Sequence, residues 1–187
     1  MSLPKPRWVM AGLLFAAASV AIHYEVKVRI HESEDSGVVT KMGNLKVGEA
    51  APDFSLDDLA NQPWTLASLR GQKVVVLDFW ATWCGPCRMA MPALQTLHRD
   101  LEGRGLEIVG VNQAESADRV RNFLNLKKYT FRTVLDRRAD VAHAYGVRAI
   151  PVLVVVDKRG MIRRIQAGYA KENADLRRLL EKLVLEP

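Results

Sequence analysis

The apolar residues of this chain change period several times, and each change marks an element. Val74 to Trp80 reads VVVLDFW, a strand-length apolar run that predicts a strand buried on both faces and interrupted by Asp78. Ahead of it, Phe54 to Leu56 and Trp64 to Leu66 flank the turn-prone Asp57-Asp58 and Asn61-Gln62-Pro63, which predicts a hairpin. Behind it, Leu94, Leu97 and Leu101 share one helical face, on a helix that Pro92 should kink and that Gly103 or Gly105 should end. The strand Leu106 to Asn112 follows, then a helix opened by Ser116 with Val120, Phe123 and Leu124 turned inward. A short strand Phe131 to Leu135 and a helix Ala139 to Tyr145, closed by Gly146, come next. Val152 to Asp157 and Met161 to Ala167 flank the turn Lys158-Arg159-Gly160, and Leu176, Leu179, Leu180, Leu183 and Val184 mark a last helix. Strands that alternate with helices and then close with a hairpin and a helix predict an α/β fold, a mixed central sheet with helices on both faces.

The first 46 residues follow a different pattern. Lys5 and Arg7 precede the apolar stretch Trp8 to Ile22, the charge order of a secretory signal or an inward-anchored helix. At the helical rise that stretch covers about 22 Å, short of the roughly 30 Å hydrocarbon core, and Ser19-Val20-Ala21 offers a small-residue cleavage site. Cleaved signal and uncleaved anchor both stay open, and Trp8 and Tyr24, bracketing the run like interfacial aromatics, favour the anchor. Tyr24, Val26, Val28 and Ile30 alternate with charges as a lone edge strand would, but His31 to Thr40 is polar and reads as linker. The expected organisation is a signal anchor or signal peptide over 1–23, a juxtamembrane linker over 24–46 and a folded domain over 47–187.

Length and composition support one domain with extras: 187 residues, 49% of them hydrophobic. The net charge is +6, yet residues 1–30 hold Lys5, Arg7, Lys27 and Arg29 against Glu25 alone, so the folded part is only mildly basic. No run of Lys and Arg is interleaved with aromatics, which argues against nucleic acid as a partner.

Both cysteines of the chain lie in Trp83-Cys84-Gly85-Pro86-Cys87, directly after the central strand. A strand that ends in C-x-x-C and continues as a helix sets the first sulfur at the helix N-terminus, where unpaired N–H groups favour a thiolate. Cys84 is therefore the expected nucleophile and Cys87, one turn further on, the resolving thiol. A tetrahedral metal site wants four ligands, whereas there is no second cysteine pair and His98 and His143 are isolated. No metal or cofactor is expected beyond the redox-active Cys84–Cys87 disulfide itself. Asp78 within the apolar strand should have a raised pKa and could accept a proton, unless strand alternation turns it to a solvated face. Glu115 precedes the N-cap candidate Ser116, an ordinary place for an acidic residue that stabilises a helix end.

From about Val47 to the C-terminus the chain resembles the thioredoxin superfamily, and within it the membrane-anchored TlpA/ResA-like thiol-disulfide oxidoreductases. The resemblance rests on Gly48-Glu49-Ala50-Ala51-Pro52-Asp53-Phe54-Ser55-Leu56, on Asp78-Phe79-Trp80-Ala81-Thr82-Trp83-Cys84-Gly85-Pro86-Cys87, on Val111-Asn112 with Glu115-Ser116, and on Tyr145-Gly146-Val147-Arg148-Ala149-Ile150-Pro151. It implies a thioredoxin fold with an N-terminal hairpin and an insertion from Glu115 to about Phe131. It also implies a cis bond before Pro151, with the backbone of Ile150 beside the sulfurs to pair with substrate. Gly85, Pro86 and an exposed Trp83 would add substrate contacts, Asp78 would take the proton from Cys87, and Glu115 would lie near the active site with a catalytic part in proton handling or substrate discrimination. Asp78 and Ala90 stand where the family commonly has asparagine and glutamate, and resemble thioredoxin itself. Val152-Leu153 lacks the threonine and the glutamate common after this proline, so cytochrome c maturation is only one substrate class among several that fit.

The function so implied is reduction of protein disulfides outside the cytoplasm, with electrons from a membrane thiol-transfer protein. The place is the bacterial inner membrane with the domain in the periplasm, or the periplasm after cleavage. A disulfide oxidase or isomerase is an alternative on the same residues. A thiol peroxidase of peroxiredoxin type shares the Ala51-Pro52-Asp53-Phe54 opening, but its P-x-x-x-T-x-x-C signature ending on Cys84 would need threonine and proline where Ala81 and Leu77 stand.

Overall fold

In the computed structural model, which describes residues 37–170 and 174–187, short extended segments precede a regular alternation of strands and helices. The short segments are β1 (Val38–Val39), the hairpin of β2 (Lys41–Met42) with β3 (Leu45–Lys46), and the hairpin of β4 (Ser55–Asp57) with β5 (Pro63–Thr65). Then follow β6 (Val74–Trp80), α1 (Gly85–Leu101), β7 (Leu106–Gln113), α2 (Ala117–Lys127), β8 (Arg132–Asp136), α3 (Asp140–Ala144), β9 (Val152–Val156), β10 (Ile162–Ala167) and α4 (Ala174–Leu185). The main sheet has the order β1-β10-β9-β6-β7-β8, with β6, β7 and β8 parallel and β9, β10 and β1 antiparallel to their neighbours. The expected mixed sheet is present, and it is the thioredoxin fold.

All seven residues of β6 are buried, because this strand is covered on both faces. Val74, Val76 and Trp80 pack with Met91, Leu94, Leu97 and Leu101 of α1, Val120 and Leu124 of α2, and Leu176, Leu180 and Leu183 of α4. Val75, Leu77 and Phe79 turn the other way, onto Trp64 and Leu66 of the second hairpin and Val141, Ala142 and Tyr145 around α3. Each such aliphatic side chain taken fully out of water contributes about 1.5–3 kcal/mol. The Ala51-Pro52-Asp53-Phe54 segment serves this second layer: the Tyr145 hydroxyl donates to the Pro52 carbonyl at 2.6 Å, and Asp53 Oδ1 accepts from the Ala67 N–H at 2.8 Å.

One difference from expectation has a local cause, and two further local features qualify the first helix. Residues 38–46, read as linker from their polar character, form strands, and β1 joins the edge of the main sheet through Val38 and Val39 opposite Gln166 and Ile165. A two-residue strand on a sheet edge is too short to show a period. Helix α1 runs through Pro92 without ending; proline there leaves the Arg88 carbonyl without its helical donor, while Leu94, Leu97 and Leu101 stay on the buried face. A short 3-10 turn, Glu102–Arg104, intervenes before Gly105, whose φ of 96° ends the helical stretch. The signal or anchor over 1–23 and the edge-strand candidate at 24–30 lie outside the described residues. Among the described residues no helix is long and apolar enough to cross a membrane.

Candidate active site

β6 delivers the chain to the site and α1 begins there. After Trp80 the buried Ala81 leads to Thr82, to Trp83, which is 66% exposed, and to Cys84, the N-cap of α1. Cys84 and Cys87 form a disulfide with their Cα atoms 5.3 Å apart, so the chain is in its oxidised form. The backbone N–H of Cys87 points at Cys84 Sγ from 3.2 Å, and Pro86 occupies the first turn, where its missing N–H costs no helical bond. A negative charge on Cys84 Sγ would meet this N–H and the positive end of α1, whose first turn holds no acidic residue. Cys84 is 4% exposed and Cys87 fully buried, so of the two residues only Cys84 retains any contact with the surface.

The loop before β9 closes the other side. Ile150-Pro151 is cis, as the resemblance implied, and the Ile150 carbonyl oxygen is 3.8 Å from Cys84 Sγ. Trp83, Val147, Arg148, Ala149 and Ile150 line a groove of about 600 Å³ that also reaches Ala142 and His143 of α3. Through Trp83 and Ile150 the groove thus borders Cys84. Gly85 lies just inside α1 with no neighbour within 4 Å of the place a Cβ would take, so the surface at the start of the helix is open there.

Asp78 lies behind the disulfide. Residues 74, 76, 78 and 80 of β6 share one face, and Val74, Val76 and Trp80 belong to the same cluster as Cys87, which puts Asp78 on the sheet face that α1 covers. The solvated alternative is ruled out, since Asp78 is 1% exposed. Burial pushes its carboxyl from 3.8 to about 7, and Oδ2 has no hydrogen-bond partner.

Glu115 lies at the active-site loop, as the resemblance implied, and not on the helix end that its position alone suggests. Its side chain turns away from the N-terminus of α2, which Ser116 caps through a bond from the Arg119 N–H, and reaches the active-site loop. Oε2 accepts from the Thr82 N–H at 2.7 Å and from Asn112 Nδ2 at 2.8 Å, Oε1 accepts from the Thr82 hydroxyl at 2.5 Å, and Arg119 Nε is 3.3 Å away. A buried carboxylate is tolerable here because every contact is a donor. Thr82 and Asn112, which stood in the motif blocks without a stated role, are the residues that hold it. Only the packing of the loop after β7 against the loop after β6 shows this.

Comparison with known proteins agrees with the geometry. The profile of the AhpC/TSA family matches residues 47–165. The chain belongs to this family. It is 37% identical over 144 residues to the thiol-disulfide oxidoreductase ResA of Geobacillus thermodenitrificans, covering 77% of this chain and 82% of the relative. To ResA of Halalkalibacterium halodurans it is 34% identical over 172 residues, 92% of either chain. Among solved structures it is similar to the thioredoxin domain of a thiol-disulfide oxidoreductase from Bacteroides vulgatus, with a TM-score of 0.66 and 27% identity over 76% of this chain and 99% of that one. This AhpC/TSA member is a ResA-like protein-disulfide oxidoreductase with the C-x-x-C pair in place.

Proposed function

We propose that the chain reduces protein disulfides outside the cytoplasm, with Cys84 as nucleophile, Cys87 as resolving thiol and Asp78 as proton acceptor. In the reduced protein the Cys84 thiolate attacks one sulfur of a substrate disulfide, forming a Cys84–substrate disulfide and releasing the other substrate sulfur as a thiolate. Cys87 then gives its proton to Asp78 and attacks Cys84 Sγ, which frees the second substrate thiolate and leaves the Cys84–Cys87 disulfide. Two electrons pass from the dithiol to the substrate. The observation that carries this reading is the asymmetry of the pair: Cys84 caps α1 beside the Ile150 carbonyl, whereas Cys87 is fully buried on the sheet face that also carries Asp78, whose carboxyl burial raises to about 7.

The groove beside Cys84 suits an extended substrate segment, with the Ile150 backbone free to pair with it and Trp83 offering apolar area. Gly85 adds no side-chain bulk next to Cys84, and the exposed ring of Pro86 offers apolar area beside it. Each cycle leaves a disulfide, so a membrane thiol-transfer protein is the proposed electron donor. Anchoring through Trp8 to Ile22 belongs to the same reading and is supported by Lys5, Arg7 and the flanking aromatics.

With a dithiol donor in excess, the protein is expected to catalyse insulin reduction and to leave hydrogen peroxide untouched. The family match gives a peroxidase some support, but the buried Ala81 and Leu77 stand where its signature needs polar threonine and rigid proline. Peroxide consumption at a rate matching insulin reduction, or faster oxidation of a dithiol substrate than reduction of its disulfide, would overturn the assignment.

Glu115 is proposed as a positioning residue for the Thr82-Trp83-Cys84 segment. Glu115→Gln sets an amide N–H₂ against the donors of Thr82 or Asn112, so about 1–3 kcal/mol of stability should be lost. The rate of Cys84 alkylation should change as well, because Thr82 lies two residues before it. Denaturant melts and alkylation across pH test both, and an unchanged alkylation profile would confine Glu115 to a purely structural part.

A further inference from the structure

The groove beside Cys84 carries hydrogen-bond donors, one of them a fixed cation, that the fold leaves unmatched. Arg148 and His143 both line it and both are exposed, and among the described residues neither side chain has an ion pair or a hydrogen bond. Local structure brings them together. The Gly146 N–H donates to the His143 carbonyl at 2.9 Å and the Val147 N–H to the Ala142 carbonyl at 2.8 Å, which folds the loop back onto the end of α3. Val147 is buried by this turn, and Arg148, the next residue, is left at the surface beside His143.

A smaller hollow of about 230 Å³ shares His143, Val147 and Arg148 with the groove and adds Gly43 and Asn44 from the turn between β2 and β3. That turn comes so near because both chains have glycine at the crossing: a Cβ on Gly146 would stand 3.0 Å from Gly43 Cα and 3.0 Å from the Met42 carbonyl oxygen. The Asn44 amide, exposed and with no side-chain partner among the described residues, is thereby a third donor at the same place.

No Asp or Glu lines either the groove or the hollow. The 780 Å³ cavity beside β8 is different, since there Asp58, Glu102 and Glu107 match Arg132, His98 and Lys73. The one carboxylate of α3, Asp140, is already paired with Arg138 at 2.7 Å. An open concave surface that holds a guanidinium, an imidazole and an amide, without a carboxylate of its own, is complementary to a carboxylate brought by the ligand.

The distance to the sulfurs decides which ligand that is. Arg148 is two residues before Ile150, at most about 7 Å along the chain, and the Ile150 carbonyl oxygen is 3.8 Å from Cys84 Sγ. A substrate segment joined to Cys84 and lying along this loop passes Arg148 within about three residues of its own cysteine. We propose that Arg148, with His143 and Asn44, selects protein substrates that carry a glutamate or aspartate close in sequence to the cysteine that Cys84 attacks. The selection rests on the reading of Cys84 as the nucleophile of a disulfide reductase. Arg148 binds the segment and takes no part in the transfer of electrons.

Disulfide-linked homodimers of one short peptide test this, with Glu, Gln or Lys at the two positions that lie two and three residues from the cysteine. The symmetric disulfide makes attack on either sulfur equivalent, and each rate is divided by that of the same peptide with free dithiothreitol. The protein should reduce the Glu peptide with a kcat/KM about three- to tenfold above the Gln peptide, and the Lys peptide more slowly than either. This preference should shrink as salt rises from about 0.05 to 0.5 M, because the pair is exposed. Arg148 bonds nothing in the protein, so its variants should fold. Arg148→Gln should bring the Glu and Gln peptides within about twofold of each other, and Arg148→Glu should invert the order so that the Lys peptide is fastest. A merely structural part for Arg148 would slow all three peptides together and leave their order unchanged. Equal rates on the three peptides, or an order that Arg148→Glu does not invert, would overturn the carboxylate site while the reductase reading stands; if none of the peptides is reduced, the reductase reading fails and the selection with it.

Discussion

Cys87→Ser is expected to stop turnover and to leave substrate proteins covalently attached, whereas Cys84→Ser stops turnover and captures nothing. The two sulfurs are only three residues apart, but their surroundings differ. Cys84 Sγ lies at the N-terminus of α1 with the Cys87 N–H directed at it and the Ile150 carbonyl alongside, while Cys87 has no exposed surface. Attack therefore begins at Cys84, and without Cys87 the mixed disulfide has no internal thiol to break it. Non-reducing gels of each variant mixed with oxidised insulin, followed by peptide mapping, give the answer. Capture through Cys87 in the Cys84→Ser variant would reverse the assignment of the two roles.

Asp78→Asn should both slow reduction and stabilise the protein, for a single reason. The folded carboxyl holds its proton up to about 7 against 3.8 for a free one, so the native state binds more protons than the unfolded chain between those values. Stability is then full below about pH 4, falls as pH rises through that window, and above it the ionised group costs up to about 4 kcal/mol. Asparagine carries no such charge. The variant should match the parent near pH 4 and exceed it by a few kcal/mol at pH 8, with the gap opening across the window. Its insulin-reduction rate should fall about tenfold or more at pH 7, since Cys87 loses its acceptor, and should recover at alkaline pH, where that thiol ionises unaided. Denaturant melts and rates over pH 4 to 9 measure both. Identical melts at pH 4 and pH 8 would show that the carboxyl is not carried in its protonated form.

The element order and the C-x-x-C chemistry were legible because each rests on local pattern. An unbroken apolar run, helical leucine spacing and turn residues fix which segments become strands and helices, and a C-x-x-C between strand and helix fixes which sulfur heads the helix. Burial of Asp78 was already implicit, since a carboxylate between Leu77 and Phe79 in an all-apolar strand has little chance of water when both faces are covered. Strands at 38–46 have no signature in the sequence, because two-residue strands carry no period; β2 and β3 pair with each other, and β1 takes its partners, Gln166 and Ile165, from far along the chain.

Contacts between segments distant in sequence were decided only by the tertiary structure. Glu115 reads as a helix-end acid by position, and becomes the anchor of Thr82 because the loop after β7 packs beside the loop after β6, a meeting of residues 33 apart. Gly110 and Thr133 have no motif at all, yet parallel register of β6, β7 and β8 brings them into line with Asp78. A side chain's neighbours along the strand are set by sequence, but its neighbours across the sheet are set by register, and register is fixed by which side chains must be buried when the sheet packs.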